Sequence, residues 1–256
     1  MKVEGRVAIV TGGGTGVGRA TCIRLAALGC AVVVNYRQSR DEAEETAAGI
    51  VALGGRAIPV AADVAADIDC RRLVATALAE FGRLDILVNN AATTAFIPLD
   101  NLEAVGTDDW NRIFDTNVRG VFQCIRAARE ALEASGDGEI VNVSSIAGLL
   151  GVGSSIPYCA SKAALNNLTL SMARILAPKI RVNAVAPGLI TSRWLKNGLG
   201  EEAYEGYLEK TLERSPLHRV CDPADVAALI VNLITGPDLV TGQILPIEGG
   251  VIMGRS

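Results

Sequence analysis

Histidine occurs once in the 256 residues, at His218, and no C-x-x-C appears among six scattered cysteines (Cys22, Cys30, Cys70, Cys124, Cys159 and Cys221). The usual histidine- and cysteine-based metal sites are thereby excluded. The cysteines read as reduced packing residues, and His218, in Ser215-Pro-Leu-His-Arg219, as structural or surface, since nothing places it near chemistry. Aromatic residues are scarce at 4%, and 24 basic residues fall short of 28 acidic ones, for a net charge of −4 and a pI near 5.2. That balance leaves no electrostatic footprint for nucleic acid. No apolar run reaches membrane-spanning length, and the apolar stretch after Met1–Arg6 is too short for the core of a signal peptide. A cytoplasmic protein with neither nucleic-acid nor membrane partners is expected. Pro/Ser-rich linkers, repeats and low-complexity blocks are also missing, so residues 1–256 are expected to form one domain.

What the chain does contain is alternation. Short β-branched runs recur at Val7–Val10, Ala31–Val34, Ile58–Val60, Asp85–Val88, Glu139–Val143, Ile180–Val185 and Gln243–Ile247, a pattern of seven strands. Between them, apolar spacing of three and four predicts helices over Val17–Leu28, Asp41–Leu53, Ile68–Phe81, Thr107–Leu132, Tyr158–Leu176 and Ala224–Leu233. The repeated strand-helix-strand order implies an α/β fold with a doubly wound parallel sheet and helices on both faces. Pro59 and Pro246 cannot donate to a central ladder, which assigns the third and seventh strands to the edges, as the order 3-2-1-4-5-6 with a seventh strand requires. The stretch from Ile190 to Leu217 has no strand partner and reads as a lid over a substrate.

The first strand runs into Thr11-Gly-Gly-Gly-Thr-Gly-Val-Gly18 and then a helix, the place where a pyrophosphate meets backbone N–H groups and a positive helix end. Gly12, Thr15, Gly16, Val17 and Gly18 are the candidates for that role. After the second strand comes Asn35-Tyr36-Arg37-Gln38-Ser39, with no carboxylate before Asp41. A ribose 2′-phosphate would meet no repulsion there and could take a charge-assisted bond from Arg37, so NADP(H) is expected in preference to NAD(H).

Tyr158-Cys-Ala-Ser-Lys162 puts a phenol and an ammonium one helical turn apart. A lysine cation and an oxidised nicotinamide ring close by both favour phenolate, so Tyr158 is expected to have its pKa moved toward working pH and to exchange protons with a substrate oxygen. The fifth strand ends in Asn142-Val-Ser-Ser-Ile-Ala-Gly148, which brings Ser144 and Ser145 to the carboxyl edge of the sheet, where ligands bind. The fourth ends in Asn89-Asn-Ala-Ala92, whose small residues permit close approach. Asn117 lies inside a helix, an unfavourable position unless its side chain bonds something specific.

Together and in this order, Thr11-Gly-x-x-x-Gly-x-Gly18, Asn89-Asn-Ala, Asn117, Ser145, Tyr158-x-x-x-Lys162 and Pro187-Gly188 resemble the short-chain dehydrogenases/reductases along the whole chain. The resemblance implies Tyr158 as general acid/base, Lys162 as the group that lowers its pKa and binds ribose hydroxyls, Ser145 as the carbonyl-polarising residue and Asn117 as holder of a relay water. Ser145 is favoured over Ser144 because it lies 13 residues before the tyrosine. It further implies Asp63 and Val64 at the adenine, Asn35, Tyr36 and Ser39 near the phosphate, Asn89 and Ala91 along the cofactor, and Pro187, Gly188, Ile190 and Thr191 about the nicotinamide amide. A homotetramer is implied too. Ala92 departs from the pattern, standing where a glycine is usual.

Among these enzymes the chain is most similar to 3-oxoacyl-acyl-carrier-protein reductases. Docking an acidic carrier needs a basic rim, however, and the turn Glu130–Glu139 is acidic, so the expectation is a small, largely apolar carbonyl or secondary alcohol lined by Phe96, Ile146, Leu149, Leu150, Leu189, Trp194 and Leu195. Carrier-linked acyl reduction remains the alternative. A non-catalytic NADP-binding regulator would be expected to have lost the tyrosine or the lysine, and this chain has both.

Overall fold

A computed structural model describes residues 1–253. Strands β1 (Val7–Val10), β2 (Ala31–Tyr36), β3 (Arg56–Ala61), β4 (Ile86–Asn89), β5 (Gly138–Val143), β6 (Ile180–Pro187) and β7 (Ile244–Ile247) form one sheet in the order β3-β2-β1-β4-β5-β6-β7. Every pairing is parallel. Pro59 and Pro246 lie on the edge strands β3 and β7, where the missing N–H spoils no central ladder.

Helices α1 (Gly16–Ala27), α2 (Arg40–Ala52), α3 (Asp67–Phe81), α4 (Thr107–Phe114), α5 (Val121–Ser135), α6 (Ala147–Leu150), α7 (Ile156–Leu176), α8 (Arg193–Leu199), α9 (Glu201–Arg214) and α10 (Pro223–Thr235) complete the main elements. Because successive strand side chains point to opposite faces, β1 and β2 feed two separate cores. Ala8, Val10, Val32 and Val34 pack with α1, α2 and α10, whereas Val7, Ile9, Ala31 and Val33 pack with α3, α5 and α7. Side chains such as Ile9, Leu73, Ile125 and Leu165 are fully buried, each contributing about 1.5–3 kcal/mol of transfer free energy. This two-sided burial explains why the strand runs are continuously apolar rather than alternating.

Two regions depart from the sequence pattern. The helix expected over Thr107–Leu132 is interrupted by a π-helical turn at Asp115–Gly120 between α4 and α5, which widens the helix by one residue and sets Asn117 in its buried wall. The Ile190–Leu217 stretch is not irregular: it folds into α8 and α9, neither of which fully buries a residue. Their weak apolar signal is the reason the sequence did not reveal them. No helix among the described residues is long and apolar enough to cross a membrane.

Candidate active site

The carboxyl ends of the strands open into a cavity of about 890 Å³. At its centre, β1 turns through Gly12 into α1. Gly12 has φ +62° and Gly16 φ +51°, the left-handed region that favours glycine. A Cβ on Gly12 would come within 3.1 Å of Asn90 Nδ2, and one on Gly18 would strike the Gly12 carbonyl. Thr15 is extended and gives α1 no side-chain cap, and the first turn of α1 holds no acid. The leading N–H groups of α1 therefore face the cavity, beside Thr15, Gly16 and Val17, as a cradle for an anion. Gly18 is the close-packing residue beneath it. A dinucleotide pyrophosphate fits this turn, and the nicotinamide that comes with it supplies the hydride.

Asn35 holds the turn from the second strand. Its carbonyl accepts from Gly13 N (2.8 Å), its Oδ1 accepts from Gly12 N (3.3 Å), and its Nδ2 donates to the Ala62 carbonyl (3.0 Å). Tyr36, Arg37, Ser39, Asp63 and Val64 line the cavity at this end. Arg37 Nη1 lies 3.6 Å from Asp63 Oδ2, with both side chains substantially exposed.

The fourth strand brings a correction. Asn89, expected along the cofactor, is buried in the sheet, where its Nδ2 donates to Asn142 Oδ1 at 2.9 Å. Asn90 lines the cavity instead, and its Nδ2 donates to the carbonyls of Thr11 and Gly12 at 2.9 and 3.1 Å. Strand alternation is the cause, since only one of two neighbouring residues can face the site. Ala91 and Ala92 follow it along the wall. Thr191 likewise turns from the cavity toward Cys221, whose carbonyl accepts from its N–H (2.9 Å), while Pro187, Gly188 and Ile190 line the cavity.

Tyr158 stands in the first turn of α7, whose N-cap Ser155 accepts from the Tyr158 N–H at 3.4 Å. Lys162 follows one turn later. Its Nζ donates to the Val143 carbonyl at 2.8 Å and lies 5.7 Å from the centroid of the Tyr158 ring. Burial pulls its pKa down to about 8. In the chain itself burial pushes the Tyr158 phenol up to about 12, opposed by the neighbouring Ser145 hydroxyl, and the lowering expected beside an oxidised nicotinamide concerns the cofactor-bound site. Lys162, which sits over the ring and is bonded to a carbonyl, does not offset the desolvation. Ser145 Oγ also accepts from Ala147 N at 3.1 Å, which fixes its direction. Ser144 is buried beneath, donating to Asn166 Oδ1 at 2.6 Å.

Both polar atoms of the Asn117 side chain are engaged by protein. Oδ1 accepts from Thr93 N (2.8 Å), and Nδ2 donates to the Thr93 carbonyl and to Ser161 Oγ, each at 3.0 Å. Ser161 Oγ in turn donates to the Tyr158 carbonyl at 2.8 Å, so the π turn is coupled to the first turn of α7, which carries Tyr158.

Six of the seven expected apolar lining residues are present; Leu149 points outside. The Trp194 ring of α8 lies tilted 6.3 Å from that of Tyr158 and edge-on 6.0 Å from that of Phe96. A Cβ on Gly198 would run into the Phe96 ring, so glycine lets α8 lie down on the β4–α4 loop. Sequence reasoning missed the inner face of α9, where Ala203, Tyr207, Thr211 and Arg214 also border the cavity. Their 4-4-3 spacing was the available signal.

The model of the short chain dehydrogenase family matches residues 6–202, and the chain belongs to that family. It is 42% identical to a granaticin polyketide synthase ketoacyl reductase of Streptomyces violaceoruber, over 96% of each chain. It is 38% identical to a 3-oxoacyl-[acyl-carrier-protein] reductase of Synechocystis, over 97% of each. A short chain dehydrogenase from Burkholderia cenocepacia, solved in complex with NADP, superposes with a TM-score of 0.87 at 35% identity, covering 98% of this chain and all of the other. The protein is thus an oxidoreductase acting on a carbonyl or its CH–OH counterpart.

Proposed function

We propose that the chain is an NADP(H)-preferring carbonyl reductase in which Tyr158 delivers or removes the proton of the reacting oxygen. The presence of Tyr158 and Ser145 together on the wall of one cavity carries this reading, because a substrate oxygen placed there can meet both a proton donor and a carbonyl-polarising hydroxyl. Lys162, the cation closest to the phenol, stabilises the phenolate formed on proton transfer and offers its N–H groups to ribose hydroxyls. Asn117 acts as a positioning residue through Thr93 and Ser161.

The pyrophosphate lies against Gly12, Thr15, Gly16 and Val17, with Gly18 beneath and Asn35 behind. Arg37, Tyr36 and Ser39 receive the 2′-phosphate, Asp63 and Val64 flank the adenine, and Asn90, Ala91, Pro187, Gly188 and Ile190 follow the cofactor to its nicotinamide. Helices α8 and α9 form the lid. The half-exposed Trp110, Phe122 and Leu170 on α4, α5 and α7 support assembly of a homotetramer through those helices, and six buried free thiols suit a cytoplasmic setting.

Near the reacting carbon the substrate is apolar, bordered by Phe96, Leu150, Leu189 and Trp194. A second reading, reduction of 3-oxoacyl thioesters, is favoured by the activities named for the two relatives above. Oxidation of NADPH over simple ketones and neutral 3-oxoacyl N-acetylcysteamine thioesters separates the two. Tyr158→Phe should lower turnover by about 10²- to 10⁴-fold while NADPH binding, followed by fluorescence, persists. Unchanged turnover in that variant would remove Tyr158 from the chemistry.

A further inference from the structure

The cavity does not end in apolar surface. Beyond Trp194, Leu195 and Leu199 it is closed by α9, whose inner face presents Tyr207, Thr211 and Arg214. Thr211 Oγ1 donates its proton to the Tyr207 carbonyl at 2.7 Å, so the free donors on this face are the Tyr207 hydroxyl and the Arg214 guanidinium. Of the other cations of this segment, Arg193 pairs with Glu42, Lys196 with Glu201 and Arg219 with Asp225, and Lys210 does not border the cavity. Arg214, solvent-accessible and bordering the cavity, has no carboxylate within 4.0 Å among the described residues.

Its place in the fold separates it from the cofactor's charged end. Ser215 Oγ lies 2.9 Å from the carbonyls of both Arg219 and Gly249, and Leu217 N donates to the Gly249 carbonyl at 3.1 Å, which ties the end of α9 to the segment after β7. Arg37 stands at the tip of β2, on the far side of β1, β4, β5 and β6 in the sheet. The two arginines therefore belong to elements at opposite sides of the sheet.

We infer that the substrate carries an anionic group, a carboxylate, at the end remote from its reacting carbonyl, and that Arg214 with the Tyr207 hydroxyl receives it. This rests on the carbonyl-reducing reading above and gives it a substrate class: oxo acids with an apolar spacer. Arg suits the role because its planar fork matches a carboxylate, and a charge-assisted bond at a cavity end gives selectivity over a neutral isostere.

The test uses 4-oxopentanoate, 5-oxohexanoate and 6-oxoheptanoate with their methyl esters, plus a phosphate-ended ketone of matched length. Binding to the NADPH-loaded protein is measured by calorimetry, and turnover by NADPH oxidation. At the best spacer length the acid should bind about 10- to 100-fold more tightly than its ester. Arg214→Met should bring the acid-to-ester ratio near one, and Arg214→Lys should restore part of it. Preference for the phosphate-ended ketone would overturn the carboxylate assignment. Equal binding of acid and ester, absence of binding by any acid, or a ratio indifferent to Arg214→Met would each overturn the inference. Acid-selective binding with no NADPH oxidation would leave the anion site standing and sink the reductase reading instead.

Discussion

Two of the cations that border the cavity live in opposite physical conditions. Arg37, at the proposed adenosine end, has a side chain about 48% exposed and a loose 3.6 Å contact with Asp63. Lys162, at the proposed catalytic end, is 2% exposed, bonded to a backbone carbonyl, and has its pKa drawn down to about 8 by burial. An exposed guanidinium keeps its charge at no desolvation cost and suits recognition, whereas a buried ammonium near its titration point suits proton chemistry. One end of the site reads charge and the other manages it.

Removing the buried cation should have the largest consequence. Lys162→Met is expected to lower turnover by about 10²-fold or more, since the phenolate of Tyr158 loses its nearest counter-charge. The same variant tests the electrostatic side of the contrast. The Lys162 pKa in the folded chain, about 8, lies below its ordinary value of 10.5. Between those values the unfolded chain holds a proton that the folded one has released, so stability rises with pH across that window and is lost again as pH falls toward 8. The buried thiols Cys22, Cys30 and Cys221, raised above their ordinary value by burial, lower stability above about pH 9 in wild type and variant alike, so the difference in stability between wild type and Lys162→Met, from urea titrations at pH 7.5 to 10, should grow in favour of the wild type as pH rises. A difference that does not change with pH would mean that Lys162 is not responsible.

The exposed cation should give a smaller and more selective effect. Arg37→Asp sets a carboxylate beside Asp63 and in the path of a 2′-phosphate, so KM for NADPH should increase about 10- to 100-fold while that for NADH moves little. Steady-state kinetics with both cofactors decide it, and equal losses would show that Arg37 does not read the phosphate.

Legibility in the sequence follows the same division between backbone and side chain. The strands, their order and the glycine turn were readable because each rests on a steric rule: continuous apolar runs for two-sided burial, Pro59 and Pro246 barred from central ladders, Gly12 and Gly16 needed at positive φ. Tyr158 and Lys162 were readable because their spacing is one helical turn. What escaped depends on rotation and environment. The choice between Asn89 and Asn90 is a matter of strand phase, the π turn around Asn117 of one inserted hydrogen-bond register, and the raised Tyr158 pKa of desolvation that no linear motif encodes. Helices α8 and α9 escaped because, with no fully buried residue, they lack the periodic apolar stripe by which a helix announces itself.

Among the described residues one ion pair joins α8 to α2, and it should matter least. Arg193, the first residue of α8, reaches Glu42 of α2 at 3.5 Å, so the proposed lid touches the helix behind the glycine turn. The arginine side chain is 77% exposed and the glutamate 38%, which makes the pair weak and easily screened, at well under about 1 kcal/mol. Helix α8 is held elsewhere, by Trp194 and Gly198 packed on Phe96. Arg193→Ala should therefore change KM for NADPH by less than about threefold at low ionic strength, with the difference vanishing by 0.5 M salt. A loss of tenfold or more that persists in salt would mean that the two ends are mechanically coupled through this contact, and that the division between a charge-reading end and a proton-handling end is too sharp.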